Sequence, residues 1–200
     1  MDQTRVLRTL DSQIAARFAR GLCMVLAIMT PEQFLSRFNV KCFWHFTDER
    51  NLETIRAAGA LLSLSEAKRR DLNIPAPGGN QWSHEADQRL GLDNYVHLCL
   101  ADQHPMEFRA REDGRIVNTR FLSISRDVLK IAGVRFAPDV ANKRGTPLLT
   151  LSEACECMDF QVIYDRTDWR DPAIQQRRTL AKRYELLVPK EVPIALIKGA

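Results

Sequence analysis

The sequence predicts a single mixed α+β domain preceded by helices. Short strand-like apolar runs alternate with short helices, and these helices look too short and irregular for regular crossovers between parallel strands. The 200 residues, 45% of them hydrophobic, are enough to bury one core. Nine glycines and nine prolines are near average usage, and no repeat of fixed period is visible. Disordered, collagenous and solenoid architectures are therefore excluded.

The N-terminal segment is predicted to be helical. Apolar residues recur at helical spacing over about residues 3–29, and a capping-box pattern that begins at Thr30 opens a second helix. The apolar run 21–29 is shorter than the roughly 20 residues that a bilayer requires, and no signal cleavage site follows it. We expect an N-terminal helical extension at residues 1–40, a globular unit at residues 41–200 and no membrane partner.

The globular unit is predicted to begin with a strand. Residues 42–47 (CFWHFT) are mostly apolar, and the helix that follows has acidic residues in its first turn and ends at Gly59. Ser63 and Glu66 form a capping-box pattern for another short helix. The Pro- and Gly-rich segment after this helix predicts a long loop that reaches roughly to Asp93.

The second half of the chain contains further short elements. Thr150 and Glu153 repeat the capping-box pattern, and residues 137–147 are expected to be loop. The other predicted elements are strands at 94–100, 116–124, 134–136, 184–188 and 194–198, and helices at 105–110, 128–131 and 171–182.

Charge and cysteine content narrow the class of protein. The net charge of +4 permits a polyanionic partner. The five cysteines are odd in number and lie mostly in apolar context, which indicates free thiols in a reducing cytoplasm. The phosphate-loop and dinucleotide-fingerprint motifs are absent, so a P-loop NTPase or a Rossmann enzyme is not expected. Cys155 and Cys157 lack a second ligand pair at zinc-site spacing, so no metal site is predicted.

Five polar or aromatic residues in the predicted strands and helices are candidate functional residues. Glu185 begins an apolar run, where an ionised carboxylate is costly unless it is paired or opens into a cleft. A frayed strand end is the alternative explanation. His45 and Thr47 end the first strand, although Thr47 is also a helix N-cap candidate. Asn51 and Tyr95 have ordinary explanations as a surface residue and a core residue.

Several segments occur in the order found in one known family. They are Trp44–Thr47, Asn51–Leu52 with Ile55 and Gly59, Asp93–Val96, His104–Met106, Asp168–Trp169 and Tyr184–Pro189. Over about residues 43–198 the sequence resembles the DarT-like nucleic-acid ADP-ribosyltransferases. The resemblance implies a compact ADP-ribosyltransferase fold with a mixed sheet, NAD as co-substrate, and transfer of ADP-ribose to a base of single-stranded DNA or RNA. It also implies a toxin of a toxin–antitoxin or phage-defence system, with an antitoxin protein as partner.

The resemblance also implies roles for individual residues. Glu185 is expected to stabilise the cationic ribose and to assist deprotonation of the attacking base. An active-site arginine is expected to clamp the NAD diphosphate. Arg69 is the first candidate, Arg70 the second, and Arg89 a rival nearer to Tyr95. The residues expected to bind NAD are His45, Phe46, Thr47, Asn51, Arg70 and Tyr95.

Basic and aromatic residues indicate where nucleic acid could bind. Basic residues are frequent from Arg166 to Arg183, directly before Glu185, although charged helix faces are often only solvated. Trp82, Trp169 and Tyr164 are candidates for base stacking, although core packing is the commoner use. Two other functions stay open: a non-catalytic nucleic-acid-binding or antitoxin-binding module that retains the fold, and a protein-directed ADP-ribosyltransferase.

Overall fold

A computed structural model of the chain describes residues 28–199. The helix predicted over residues 3–29 lies outside this part of the chain except for Ile28 and Met29, which are not helical. The predicted division at residue 40 stays a prediction. Within residues 28–199, no helix has the length and apolar character needed to cross a bilayer.

Eight strands are present in the described residues: β1 (Cys42–Asp48), β2 (Ala60–Leu62), β3 (Tyr95–Cys99), β4 (Thr119–Ser125), β5 (Arg135–Ala137), β6 (Glu185–Pro189), β7 (Glu191–Pro193) and β8 (Ile197–Lys198). Six of them form one sheet in the order β5-β6-β3-β1-β4-β8, and β2 and β7 form a second, two-stranded sheet. Every neighbouring pair is antiparallel. Antiparallel strands do not need long helical crossovers, which agrees with the predicted α+β class.

Eight α-helices are present in the same residues: α1 (Pro31–Arg37), α2 (Leu52–Ala58), α3 (Leu64–Arg69), α4 (Gln81–Leu90), α5 (Pro105–Glu112), α6 (Leu151–Cys157), α7 (Phe160–Tyr164) and α8 (Pro172–Ala181). The predicted capping boxes close at Thr30 and Thr150. Ser63 also caps its helix by accepting from the backbone N of Glu66. The Glu66 carboxylate binds arginines instead of closing that box.

Helix α4 lies in the segment that was predicted to be a loop as far as Asp93, so that prediction is wrong over Gln81–Leu90. Asn80 caps this helix by accepting a hydrogen bond from the backbone N of Ser83, and Gly91 ends it with a left-handed φ of 69°. Ala86 is the buried residue of the helix. Its three apolar residues, Trp82, Ala86 and Leu90, are outnumbered by polar ones, so hydrophobic periodicity gave only a weak signal for the helix.

Two strands begin three residues later than predicted. The strand predicted over residues 116–124 begins at Thr119 because the Asp48 carboxylate accepts the backbone N–H of Val117 at 2.7 Å and of Asn118 at 3.3 Å. Of the strand predicted over residues 194–198, the first three residues form a 3-10 turn, and the remaining two pair with β4.

An aromatic cluster fixes the sheet from one side. The ring of Phe34, on α1, lies 5.1 Å from Phe38, 6.0 Å from Phe136 on β5 and 4.8 Å from Phe160 on α7, measured between centroids. Aromatic pairs of this kind contribute about 0.5–1.5 kcal/mol beyond their buried area. Since β5 pairs with β6, the cluster also fixes the strand that begins at Glu185.

Candidate active site

A pocket of about 260 Å³ lies against strands β1, β3 and β6. Its polar part includes Glu185, His97 and Asp87, and its apolar part includes Ile55 and Leu61. The sequence-predicted residues that line the pocket are His45, Phe46, Thr47, Asn51, Tyr95 and Glu185.

Glu185 is held at the polar end of the pocket. It is 5% exposed and lies opposite Cys99 in the β3–β6 pair. Its Oε2 atom accepts hydrogen bonds from His97 Nδ1 at 2.9 Å and from the backbone N of Ala141 at 3.2 Å. Its Oε1 atom lies 3.7 Å from His104 Nε2. One carboxylate oxygen is therefore fixed, while the other remains available to a ligand.

The ring of His97 is in contact with two acceptors. Nδ1 faces Glu185 Oε2, and Nε2 lies 3.4 Å from the carbonyl of Leu92. A neutral imidazole has one N–H, so only the doubly protonated ring can donate to both. Burial lowers the pKa of His97, but the Glu185 carboxylate, with Asp87 and the Leu92 carbonyl, outweighs burial and raises the pKa to about 9. Glu185 is thus paired with an imidazolium.

The other two histidines of the polar end are neutral. His45 Nδ1 donates to the carbonyl of His97 at 3.0 Å, which leaves His45 Nε2 as an acceptor. Burial lowers the pKa of His45 to about 4. His104 Nδ1 accepts from the backbone N of Met106 at 3.3 Å, so its proton lies on Nε2, on the side of Glu185. Burial lowers the pKa of His104 as well.

Asn51 joins the end of β1 to the Pro- and Gly-rich loop. Its Nδ2 donates to Thr47 Oγ1 at 3.0 Å and to the Ala76 carbonyl at 2.7 Å, and its Oδ1 accepts from Ala76 N at 2.9 Å. The loop continues into Gly78 and Gly79, which line the pocket. Asn51 therefore positions one wall of the pocket.

The three predicted arginines do not line the pocket, and its described lining includes no arginine or lysine. Arg69 donates to Glu66 through Nε at 2.8 Å and Nη2 at 2.5 Å. Arg70 donates to Glu66 through Nε at 2.6 Å and also pairs with Glu191. Arg89 is exposed on α4. Their assignment to the NAD diphosphate stays a prediction.

Asp87 and His97 were not recognised as site residues in the sequence. His97 is two positions from both Tyr95 and Cys99, so it shares their face of β3, and this alternation was the available signal. Asp87 belongs to the helix that was not predicted. Its Oδ1 is buried and makes no hydrogen bond within the described residues. His104 Nε2 is also buried and makes no hydrogen bond there. The pocket thus presents an unpaired acceptor and an unpaired donor.

The predicted stacking residues differ in exposure. Trp82 is 64% exposed and Trp169 is 62% exposed, and the Arg170 guanidinium lies 5.3 Å from the Trp169 ring centroid. Tyr164 is half-buried, with its hydroxyl 3.5 Å from the carbonyl of Leu100. The two tryptophans are therefore accessible, whereas Tyr164 packs against the core.

The fold and the pocket together indicate a class of enzyme. A carboxylate held in a pocket among hydrogen-bonding side chains is able to support transfer of a glycosyl group. Such a carboxylate stabilises the positive charge that develops on a sugar when its glycosidic bond breaks.

The family model described as "DarT: ssDNA thymidine ADP-ribosyltransferase, DarT" matches residues 44–200. The chain belongs to the DarT family, and the resemblance drawn from the sequence is confirmed. Membership also confirms the predicted enzyme class, an NAD-dependent ADP-ribosyltransferase.

Solved structures support the same fold. Thermus sp. 2.9 DarT in complex with ADP-ribosylated ssDNA is 20% identical, with a TM-score of 0.57 over 80% of this chain and 79% of that chain. The same protein in complex with NAD⁺ is 20% identical, with a TM-score of 0.51 over 80% of each chain. Thermosipho africanus DarTG in complex with ADP-ribose is 16% identical, with a TM-score of 0.55 over 79% of this chain and 43% of that chain. No curated protein matches the chain.

Proposed function

We propose that this chain transfers ADP-ribose from NAD⁺ to the thymine base of single-stranded DNA. The observation that carries the proposal is the Glu185 carboxylate, fixed through Oε2 at the polar end of a pocket in a chain of the DarT family. Thymidine is the acceptor that the family description names, and Thermus DarT has been solved with ADP-ribosylated ssDNA.

The reaction exchanges one bond to the ribose for another. The only ring N–H of thymidine is at N3. This nitrogen forms a bond to the anomeric carbon of the ribose. The bond from that carbon to nicotinamide breaks, and nicotinamide leaves with the bonding electrons. The N3 proton passes to a base. Glu185 Oε1, free of a hydrogen bond within the described residues, is placed to stabilise the cationic ribose and to accept that proton.

The other residues of the polar end suit a substrate with hydroxyl and amide groups. Neutral His45 offers Nε2 as an acceptor for a ribose hydroxyl. Asp87 Oδ1 is an acceptor and His104 Nε2–H is a donor in the pocket lining, and a carboxamide such as that of nicotinamide carries the complementary groups. Tyr95 provides a flat wall. The donor set of the pocket therefore fits NAD⁺.

The cellular role follows from the same assignment. Modified bases in single-stranded DNA would block copying, so the chain acts as a toxin and requires an antitoxin protein as partner. We place the reaction in the cytoplasm, where NAD⁺ and DNA are both present and where Cys42, Cys99, Cys155 and Cys157 remain free thiols.

The test is incubation with labelled NAD⁺ and oligonucleotides of one sequence made as single-stranded DNA, duplex DNA and RNA. We expect label on single-stranded DNA and a mass increase of one ADP-ribose on thymidine. An oligonucleotide with N3-methylthymidine in place of thymidine is the matched control and should stay unlabelled. Transfer to protein alone would favour the protein-directed alternative, and failure to bind NAD⁺ would favour the non-catalytic module.

A further inference from the structure

His97 makes hydrogen bonds to both Glu185 and His45. Its side chain donates to Glu185 Oε2 at 2.9 Å, and its backbone carbonyl accepts from His45 Nδ1 at 3.0 Å. The ring is fixed from the other side by the Leu92 carbonyl, 3.4 Å from Nε2. His97 is therefore held in place and in contact with both.

We propose that His97 is a positioning residue for the transfer reaction, which as an imidazolium fixes Oε2 of Glu185 and leaves Oε1 directed to the substrate. The inference rests on the function proposed above. The backbone N of Ala141 also binds Oε2, but at 3.2 Å and without a charge. A charge-assisted hydrogen bond is roughly twice as strong as a neutral one, so His97 dominates the orientation of the carboxylate.

The groups that surround His97 favour its charged form. Glu185 faces it from β6 and Asp87 from α4, and both carboxylates favour the cation. His45 on β1 and His104 before α5 are neutral, because burial lowers the pKa of each, and so they do not repel it. The pKa of His97, raised to about 9, keeps the ring charged at neutral pH.

A double-mutant cycle separates positioning from simple packing. The rate of a single turnover is measured with saturating NAD⁺ and a thymidine oligonucleotide for wild type, His97→Gln, Glu185→Gln and the double variant. We expect His97→Gln to slow transfer roughly 10–100-fold at pH 7, as loss of a charge-assisted hydrogen bond does. A residue that acts through Glu185 adds no further loss in the Glu185→Gln background. Additive losses, or an unchanged rate in His97→Gln, overturn the inference.

The pH dependence of the transfer rate distinguishes a charged positioning residue from one that only packs. The ratio of the wild-type rate to the His97→Gln rate is expected to fall as the pH rises through about 9, where the imidazolium loses its proton. Titration of the thymine base affects both proteins equally and cancels in the ratio. A ratio that stays constant from pH 7 to pH 10 contradicts the inference.

Nuclear magnetic resonance of the wild-type protein tests the charge state of His97 and does not depend on a variant that must fold. The chain has four histidines, and one of them is expected to remain charged until the pH approaches 9. Four histidines that all titrate below about pH 7 would overturn the inference. If one histidine titrates near pH 9 but the wild-type protein transfers no ADP-ribose to any oligonucleotide, the proposed function fails while the Glu185–His97 ion pair stands.

Discussion

Asn51 and Ala76 exchange two hydrogen bonds across the edge of the pocket. Asn51 Nδ2 donates to the Ala76 carbonyl at 2.7 Å, and Ala76 N donates to Asn51 Oδ1 at 2.9 Å. The same Nδ2 donates to Thr47 Oγ1. The amide of Asn51 is thus engaged by the protein, and we expect Asn51 to affect NAD⁺ binding through the loop that it holds.

Replacement of Asn51 by alanine is expected to lower both stability and NAD⁺ affinity. The backbone groups of Ala76 would be left buried without partners, which costs about 1–3 kcal/mol per group, and the loop along the pocket would loosen. Chemical denaturation and calorimetry with NAD⁺ measure the two effects. Asn118→Ala is the control, since the Asn118 side chain is exposed and its loss should change stability by less than about 0.5 kcal/mol. Equal behaviour of the two variants would contradict the prediction.

Replacement of Glu185 by glutamine is expected to slow transfer strongly while the protein still folds. The change keeps the size of the side chain but removes the charge that stabilises the cationic ribose, so the rate should fall by about two orders of magnitude or more. Glu191→Gln is a matched control, because Glu191 lies on β7 outside the pocket lining and pairs with Arg70. Transfer by a folded Glu185→Gln protein at the wild-type rate would remove Glu185 from the mechanism.

Replacement of His45 by alanine is expected to weaken NAD⁺ binding. The neutral ring offers Nε2 as an acceptor in the pocket, and a contact to a ribose hydroxyl acts in the ground state as well as in the transition state. Calorimetry with NAD⁺ measures the affinity directly. His45→Gln, which retains one donor and one acceptor, should bind more tightly than His45→Ala. If both variants bind like wild type, His45 serves only to pack the strand.

The sequence predicted most elements because their signals are local. Thr30 and Thr150 carry their capping boxes within four residues, and the segment around Glu185 is apolar on its own. The contact between His97 and Glu185 is different, since the two residues are 88 positions apart and meet only through the register of β3 with β6. That register is set by packing of the whole sheet, so local sequence could propose Glu185 but could not supply its partner.

The pH dependence of stability is expected to differ on the two sides of neutrality. The pKa of His97 is raised to about 9, so its stabilising contribution is complete below about pH 6.5 and is lost as the pH rises through about 9. The pKa of His45 is lowered to about 4, so the unfolded chain binds a proton that the folded protein does not, and the free energy of unfolding falls as the pH drops from about 6.5 to 4.

Denaturation curves at pH 4.5, 6.5 and 9.5, on wild type and single variants, measure these two effects. His97→Gln should remove much of the alkaline loss, and His45→Gln part of the acid loss. Other titrating groups are common to each pair of proteins and cancel in the difference. An alkaline loss of equal size in wild type and His97→Gln would show that the imidazolium is not the group responsible.

The three arginines are expected to respond differently to replacement by lysine. Arg70 bridges Glu66 on α3 and Glu191 on β7, so Arg70→Lys should lower stability, because lysine loses the planar fork that holds two carboxylates. Arg69 and Arg89 have exposed side chains, so either can turn toward a bound diphosphate, although Arg69 must first leave Glu66. We expect one of these two lysine variants to weaken NAD⁺ binding with little change in stability, Arg69 being the first candidate. Calorimetry with NAD⁺ measures the loss of affinity, and thermal unfolding measures the loss of stability. Unchanged NAD⁺ affinity in all three would indicate that the diphosphate is held instead by backbone amides around Gly78 and Gly79, which line the pocket.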